Sequence, residues 1–135
     1  MTEEELTFDV LIVGAGPSGL SAAIKLKQLA IKEDRVISIC VIEKSSTLGG
    51  HIVSGAIIDT TALSELFPNW KAEKCPIKNQ VTNDEFYFFL NKSNSFKIPN
   101  FLIPKSLSNS GCYIASLSDV VKWLGSKAEE IGIEI

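Results

Sequence analysis

Three glycines follow an apolar segment near the start of the chain, in the order Gly14-x-Gly16-x-x-Gly19. The residues before them, 8–13, are rich in valine, isoleucine and leucine, as in a strand buried on both faces of a parallel sheet. The residues after them, from 17 or 18 to about 30, carry apolar side chains at helical spacing. A glycine loop between a buried strand and a helix is the arrangement that binds the pyrophosphate of a dinucleotide.

Each glycine of this loop has its own mechanical role. Gly14 permits the tight turn, Gly16 lets a phosphate approach the backbone without meeting a Cβ, and Gly19 lets the helix pack closely on the sheet. The first amides of the helix have no partner inside it and point at the phosphates, at the positive end of the helix dipole. The predicted cofactor contacts in the loop are Gly14, Ala15, Gly16, Pro17, Ser18 and Gly19.

A carboxylate follows the next predicted strand, 36–42. Glu43 stands where it can accept hydrogen bonds from both ribose hydroxyls, and it would repel the 2'-phosphate of NADP. The adjacent Lys44 weakens that repulsion only slightly, and Ala23 supplies the small side chain that close helix–sheet packing requires. The order strand, helix, strand predicts two parallel strands joined by a right-handed crossover.

The glycine loop does not distinguish FAD from NAD, because both contain adenosine diphosphate. A second pair of glycines, Gly49-Gly50, follows Glu43 after five residues. This spacing is similar to the extended fingerprint of glutathione-reductase-type FAD proteins and favours FAD.

Length, composition and charge exclude several classes of protein. The 135 residues suit one modest domain, and the net charge of -3 argues against binding to nucleic acid. No apolar stretch reaches the roughly 18 residues that a membrane-spanning helix needs, so we expect any membrane contact to be peripheral. The acidic start, residues 1–9, is unlike a transit peptide or secretory signal and favours a bacterial cytoplasmic chain or one already processed.

Cysteine and histidine give no sign of a metal centre. Cys40, Cys75 and Cys112 are widely separated and form neither a CxxC motif nor a Cys/His cluster, so we predict no disulfide framework and no metal site. His51 is the single histidine, and we interpret it as a loop residue rather than a proton donor.

The middle of the chain predicts short elements. The segment 52–58 is apolar but interrupted by Gly55, and residues 60–67 suit a short helix. Residues 75–82 are polar and irregular. The aromatic stretch 85–90 and residues 96–98 suit the two strands of a hairpin.

The last part of the chain predicts a loop, a helix and the start of a strand. Residues 99–110, with two prolines and many asparagines and serines, form a loop. A helix over 120–131 is predicted, with Ser118 or Asp119 as its cap. A strand then begins at Ile133 with no evident partner, so the segment looks truncated.

Taken together, these segments resemble the electron-transfer flavoprotein:ubiquinone oxidoreductase family. The similarity rests on "FDVLIVGAGPSGLSAAIKLKQLA", "VIEKSSTLGGHIVSGAIID", "LFPNW", Ile98-Pro99 and "GCYIASLSDVVKWLGSKAEEIGIEI". It covers 8–135 in matching order and corresponds to the family's N-terminal quarter. A nitrogen-fixation-linked flavoprotein dehydrogenase of the same family is a closely related possibility.

The resemblance implies an α/β fold, with a Rossmann-like FAD-binding βαβ unit of the glutathione-reductase type. Residues 1–82 would be the N-terminal part of that FAD-binding domain. Residues 83–112 would begin a smaller β-rich subdomain that faces quinone and membrane. Residues 113–135 would return to the FAD domain as a helix and a strand.

The resemblance also implies an activity, namely electron transfer from reduced electron-transfer flavoprotein to ubiquinone through FAD and a 4Fe-4S cluster. The enzyme would be peripheral on the cytoplasmic face of a bacterial inner membrane, or at the mitochondrial inner membrane in a eukaryote. The family's cluster ligands lie near its C-terminus, so the three cysteines here are not expected to be ligands. We expect the 135-residue chain to be inactive alone and to hold no catalytic residue, because flavin and quinone do the redox chemistry.

Carried onto this sequence, the family pattern places adenosine diphosphate on the glycine loop, Glu43 and Lys44. The segment 49–55 would pass near the pyrophosphate and flavin. Its predicted contacts are Gly49, Gly50, His51, Ser54 and Gly55. The chain departs from the pattern at Ala115-Ser116-Leu117, where the family usually has valine, arginine and leucine, so the arginine that would contact the cofactor is absent.

The loop 99–110 corresponds to the part of the family that meets membrane and quinone. Its predicted contacts are Phe101, Leu102, Ile103 and Leu107. Apolar residues in a proline-rich loop cannot all be covered by their own backbone, and Lys97 and Lys105 would suit anionic headgroups. The alternative is a loop that folds over the core or is covered by further domains.

Two other functions stay open from the sequence. One is a non-catalytic, truncated fragment. The other is a different FAD oxidoreductase, of the flavin monooxygenase or prenyl reductase type, that uses the same N-terminal cradle.

Overall fold

The computed structural model describes residues 6–135, so part of the predicted acidic start, residues 1–5, lies outside the described residues. The strands are β1 (Val10–Val13), β2 (Ile39–Ile42), β3 (Gly55–Ile58), β4 (Asn79–Gln80), β5 (Phe86–Phe89), β6 (Ser95–Ile98) and β7 (Tyr113–Ser116). The helices are α1 (Pro17–Lys32), α2 (Thr61–Leu66) and α3 (Leu117–Glu130), and two 3-10 turns span Asn100–Leu102 and Lys105–Leu107.

The first three elements form the predicted βαβ unit. Strands β1 and β2 pair in parallel, with Leu11 opposite Cys40, and α1 connects them. The side chains of Leu20, Ala23 and Ile24 on α1 are completely buried in the core. The prediction of parallel strands and of a small residue at position 23 is therefore confirmed.

Both strands of this unit begin later than predicted, at Val10 and Ile39 rather than at residues 8 and 36. The carboxylate of Asp9 accepts hydrogen bonds from the backbone N–H and the hydroxyl of Ser38, each at 2.7 Å. The backbone N–H of Asp9 donates in turn to the Ser38 hydroxyl. Side chains thus take over the pairing at this end of the sheet, and Val36 is fully exposed.

A second, antiparallel sheet has the order β3-β7-β4. Neither β4 nor β7 is among the predicted strands, and the segment 52–58 is not broken at Gly55, because that glycine begins β3. Gly55 lies opposite Ser116 in the β3–β7 register. This pairing connects the end of the segment 49–55 to the start of α3.

Helix α3 begins three residues earlier than predicted. Its N-cap is Ser116, whose extended backbone lets the hydroxyl accept a hydrogen bond from the N–H of Asp119 at 3.3 Å. Ser118 and Asp119 therefore lie inside the first turn. The apolar face of α3 packs against α1 as expected, with Val120, Val121, Leu124 and Ala128 buried.

The residues after α3 have a partner within the chain, contrary to the prediction. Glu134 forms a parallel bridge with Cys40, in which its N–H donates to the carbonyl of Ile39 at 3.0 Å. The N–H of Val41 donates to the carbonyl of Glu134 at 2.7 Å. Residue 134 therefore extends the first sheet on the side of β2 away from β1.

The predicted hairpin is present as β5 and β6, with Phe88 opposite Phe96. The rings of these two phenylalanines lie 5.5 Å apart between centroids, and both are about half exposed. The adjoining segment 99–110 contains the two 3-10 turns and is not a wholly irregular loop.

Candidate dinucleotide-binding site

The glycine loop joins the end of β1 to the start of α1. Gly14 has a φ of +102°, which an L side chain rarely adopts, and its N–H donates to the carbonyl of Ile42 at 2.7 Å. This bond fixes the loop to the end of β2. The tight turn predicted for Gly14 is present.

Gly16 and Gly19 are required for different reasons. A Cβ on Gly19 would overlap the carbonyl oxygen of Gly14 and lie 3.4 Å from the side chain of Ile12. Position 19 therefore needs glycine for the chain to pack on itself. A Cβ on Gly16 would meet no atom of residues 6–135 within 4 Å, so these residues leave the space beside Gly16 open to a ligand.

Unpaired backbone amides face this open space. Helix α1 begins at Pro17, which has no N–H, and the N–H of Leu20 is the first to bond back, to the carbonyl of Gly16 at 3.0 Å. Within residues 6–135, the amides of Gly16, Ser18 and Gly19 have no hydrogen-bond acceptor. Three free donors at the N-terminus of a 16-residue helix suit the oxygens of a pyrophosphate.

Glu43 follows β2 directly, as predicted, and its carboxylate is turned toward the glycine loop. Its two oxygens accept hydrogen bonds from the backbone N–H groups of Ser45 and Ala15, each at 2.9 Å. These bonds, that of Ser45 first, lower the pKa of Glu43, and the nearby charge of His51 adds a smaller effect. Glu43 is thus held in its ionised form beside the loop, with lone pairs left for a ribose.

The second glycine pair is packed against α3. Gly49 has a φ of +70°, and a Cβ on it would lie 2.8 Å from the hydroxyl oxygen of Ser118. That hydroxyl donates to the carbonyl of Gly49 at 3.0 Å. The sequence suggested Ser118 only as a helix cap, because nothing in the local pattern indicates a contact to a loop 69 residues away.

Segment 49–55 therefore touches the start of α3 at two points, through Ser118 and through the pairing of Gly55 with Ser116. Ser116, which stands where the family usually has arginine, uses its hydroxyl to cap α3. His51 and Ser54 are exposed, as is Lys44, which makes no ion pair within the described part of the chain. The structure thus brings Glu43 to the glycine loop, and it holds the segment 49–55 against the start of α3.

The four apolar residues of the segment 99–110 are not equivalent. Phe101 is 85% exposed, and Leu102 and Leu107 are more than half exposed, whereas Ile103 is partly buried. Three of the four are thus available at the surface. The fourth turns back toward the protein.

The two lysines predicted to meet anionic headgroups also differ. Lys97 is bound to Glu85 across the hairpin, with 2.7 Å between Nζ and Oε1. This bond, with hydrogen bonds from Tyr87 and Asn83, lowers the pKa of Glu85 to about 2. Lys97 is thus already paired, whereas Lys105 has no ion pair among residues 6–135.

The three cysteines are free thiols. Cys75 is buried, and this burial raises the pKa of its thiol. In the described part of the chain, no three His, Cys, Asp or Glu side chains lie close enough together to hold a metal ion. None of the helices in residues 6–135 is both long and apolar enough to cross a membrane.

The parallel pair, the crossover helix and the open glycine loop define a Rossmann-like dinucleotide-binding domain. A family model described as an NAD(P)-binding Rossmann-like domain matches residues 12–71. The predicted Rossmann-like α/β fold is therefore confirmed.

Curated relatives extend the match to nearly the whole chain. It is 50% identical over 133 residues to a probable electron transfer flavoprotein-ubiquinone oxidoreductase of Acinetobacter baylyi, covering 98% of this chain and 23% of that protein. It is 48% identical over 135 residues to the Pseudomonas aeruginosa protein of that name, covering 100% of this chain and 24% of the relative. The human mitochondrial protein is 44% identical over 128 residues, covering 94% of this chain and 20% of the relative.

The resemblance to the electron-transfer flavoprotein:ubiquinone oxidoreductase family is thereby confirmed. The chain spans about a quarter or less of the length of the relatives it matches.

Proposed function

We propose that this chain forms the N-terminal FAD-binding portion of an oxidoreductase that passes electrons from reduced electron-transfer flavoprotein to ubiquinone at a membrane surface. The main support is the similarity to oxidoreductases of that name, which extends over nearly the whole of this chain. The open cradle beside Gly16 supports the cofactor part of the proposal.

The glycine loop and Glu43 bind different parts of FAD. The free amides of Gly16, Ser18 and Gly19 bind the pyrophosphate, and hydrogen bonds to a charged group contribute about 1.5–3 kcal/mol each. Glu43 accepts the ribose hydroxyls with the lone pairs that Ala15 and Ser45 leave free. FAD, when bound, supplies the redox chemistry.

The segment 49–55 orients the rest of the cofactor. Ser118 and the β3–β7 pairing hold this segment against α3, so its backbone is fixed in position. Because the hydroxyl of Ser116 caps α3, we expect backbone amides of this region, and not a side chain at position 116, to contact the cofactor. Lys44, His51 and Ser54 remain exposed and can approach it from solvent.

The hairpin and the loop after it supply the membrane contact. Seven apolar residues of this region have side chains at least half exposed, and we call them the apolar rim: Phe88, Phe89, Leu90, Phe96, Phe101, Leu102 and Leu107. Exposed apolar side chains concentrated in one part of a protein are typical of membrane or protein interaction sites. We propose peripheral binding, on the cytoplasmic face of a bacterial inner membrane or at the mitochondrial inner membrane, with ubiquinone entering from the same side.

The domain division belongs to this proposal. Residues 1–82 and 113–135 contribute to the FAD domain, and 83–112 begin the region that faces membrane and quinone. The 4Fe-4S cluster of the complete enzyme is held outside this chain, and the 135 residues alone transfer no electrons to quinone.

The test of activity uses the protein isolated at its native length from source cells, with its size mapped by peptide mass spectrometry. Reduction of ubiquinone by reduced electron-transfer flavoprotein is expected, with no oxidation of NAD(P)H. Rapid NAD(P)H oxidation without quinone reduction would instead indicate a monooxygenase or prenyl reductase. A native product without either activity would indicate a non-catalytic fragment.

The test of membrane binding is substitution in the apolar rim. Phe101→Asp with Leu107→Asp is expected to move the native-length protein from the vesicle pellet to the supernatant, because both side chains are exposed and an aspartate there opposes insertion. Ile103 is not substituted in this test, because it is partly buried and an aspartate there would also affect the fold. Val36→Asp, a fully exposed apolar position outside the rim, is the control and should pellet normally. Unchanged pelleting of the double variant would contradict membrane docking through this rim.

A further inference from the structure

A pocket of about 290 Å³ lies between the segment 81–86 and the loop 99–110, next to the apolar rim. Its volume is near the lower limit of about 300 Å³ for pockets that hold small ligands. The walls come from two stretches of chain, one leading into β5 and one containing both 3-10 turns. Phe86 and Ile103 supply apolar wall, and Asn83 and Asn100 supply amides.

The pocket contains one group of each charge, Asp84 and Lys105. The part of the chain that the structure describes gives neither side chain an ion pair, with the other or with any third group. Asp84 is partly buried and fixed in place, because its carboxylate accepts the N–H of Asn109 at 2.7 Å. The side-chain amide of Asn109 also donates to both carboxylate oxygens of Asp84, at 3.3 Å. The pocket thus holds two charges of opposite sign, and neither is in an ion pair among residues 6–135.

A zwitterion compensates both charges at once. We propose that this pocket binds the phosphoethanolamine headgroup of a membrane lipid, with the phosphate at Lys105 and the ammonium at Asp84. A primary ammonium donates three hydrogen bonds. The carboxylate of Asp84 is an acceptor for them, and the amide groups of Asn83 and Asn100 belong to residues that line the same pocket.

The same chemistry selects against choline. A quaternary ammonium donates no hydrogen bond and is usually bound by a cage of aromatic rings. Among the described residues that line this pocket, Phe86 is the one aromatic residue. The pocket therefore distinguishes ethanolamine from choline headgroups, although both lipids carry no net charge.

The inference rests on the proposed function, because the apolar rim must first bring the protein to a membrane. Ile103 lines the pocket, while Phe101, Leu102 and Leu107 around it in sequence are exposed. The same loop therefore presents side chains for the hydrocarbon region and a wall of the headgroup pocket. A lipid bound there would fix the depth and orientation of the loop.

The experiment measures binding of the native-length protein to two kinds of vesicle, phosphatidylcholine alone and phosphatidylcholine mixed with phosphatidylethanolamine. Non-specific attraction is equal for both, since neither surface carries net charge. The native protein is expected to bind the ethanolamine vesicles at least about tenfold more tightly, the effect of one charge-assisted hydrogen bond. Asp84→Asn and Lys105→Gln should each remove this preference and leave binding to phosphatidylcholine unchanged.

The control is Lys92→Gln, which removes the same charge from the exposed hairpin turn, outside the pocket, and should retain the preference. Lys105 is exposed, so its variant tests the proposal even where Asp84→Asn loosens the loop; circular dichroism checks the fold of both. Equal binding of the native protein to both vesicles, or a preference that survives either substitution, overturns the headgroup site and leaves membrane docking standing. Binding to neither vesicle removes both proposals, and binding of soluble glycerophosphoethanolamine without any vesicle preference overturns the lipid assignment.

Discussion

Adding a single methyl group at Gly19 or at Gly16 is expected to have opposite consequences. In Gly19→Ala the new Cβ overlaps the Gly14 carbonyl oxygen, a backbone atom that cannot move freely because the Gly14 N–H is bonded to Ile42 at 2.7 Å. Overpacking of this kind costs about 1–3 kcal/mol, and a backbone target places it near about 3. Alanine in place of a helical glycine recovers about 1 kcal/mol. We expect the free energy of unfolding to fall by about 2 kcal/mol.

In Gly16→Ala the new Cβ meets no atom of the described residues within 4 Å, and the φ of -78° suits any residue. Alanine is a poorer N-cap than glycine, so the free energy of unfolding should fall by no more than about 1 kcal/mol. The methyl group instead occupies the space that a pyrophosphate needs. Loss of one hydrogen bond to a charged group, about 1.5–3 kcal/mol, raises the dissociation constant for FAD by about 10- to 100-fold.

Two measurements on the native-length protein separate these effects. Urea unfolding of the FAD-free protein should show a lower midpoint for Gly19→Ala and a nearly unchanged one for Gly16→Ala. Titration with FAD, followed by flavin fluorescence, should show a higher dissociation constant for Gly16→Ala than for the original protein. A Gly19→Ala protein as stable as the original would refute the close approach at that position. Undiminished FAD affinity in Gly16→Ala would refute pyrophosphate binding at this loop.

Two further predictions concern the residues that hold the site together. Ser118→Ala removes the hydroxyl that donates to Gly49 and should lower the free energy of unfolding by about 1 kcal/mol. Because the loop is then less restrained, trypsin should cleave faster after Lys44. The control is Ser126→Ala, on the exposed side of α3, which should change neither the stability nor the cleavage rate. If proteolysis after Lys44 is unchanged in Ser118→Ala, Ser118 does not restrain the loop. Glu43→Gln tests the lowered pKa of Glu43: its ionised form stabilises the fold fully above about pH 4.5, the ordinary value, and this contribution is lost as pH falls through the folded pKa. The difference in melting temperature between the original and Glu43→Gln should therefore shrink on acidification, and a difference that stays constant down to pH 3 would contradict the role of these hydrogen bonds.

The βαβ unit could be predicted because its signals are local. Buried strand, glycines and amphipathic helix follow one another directly, and the end of β2 is marked by the change from Ile42 to Glu43. The starts of β1 and β2 were wrong by two and three residues because apolar composition continues past the point where Asp9 and Ser38 take over the pairing. A hydrogen bond between side chains 29 residues apart leaves no trace in the local pattern.

Strands β4 and β7 were missed for a related reason. Asn79–Gln80 is polar and two residues long, and it is a strand because β7 pairs with it. The pairing of β7 with β3, in which Ser116 lies opposite Gly55, gives Ser116 an extended backbone and so decides which nearby polar residue caps α3. Ser116, Ser118 and Asp119 all suit a helix N-terminus by type. Long-range pairing, and not propensity, selects Ser116.

At the proposed membrane surface, the charge of a residue alone did not predict whether it is free to bind a lipid phosphate. Lys97 and Lys105 look equivalent in sequence, but the β5–β6 register places Lys97 opposite Tyr87, where both side chains reach Glu85. That carboxylate, whose pKa is lowered to about 2, is ionised near neutral pH and pairs with Lys97. Lys105 lies outside the hairpin, on a 3-10 turn with no acid close enough to pair among residues 6–135. The strand register therefore leaves one of the two cations free for a phosphate, and the free one is the one that lines a pocket with Asp84.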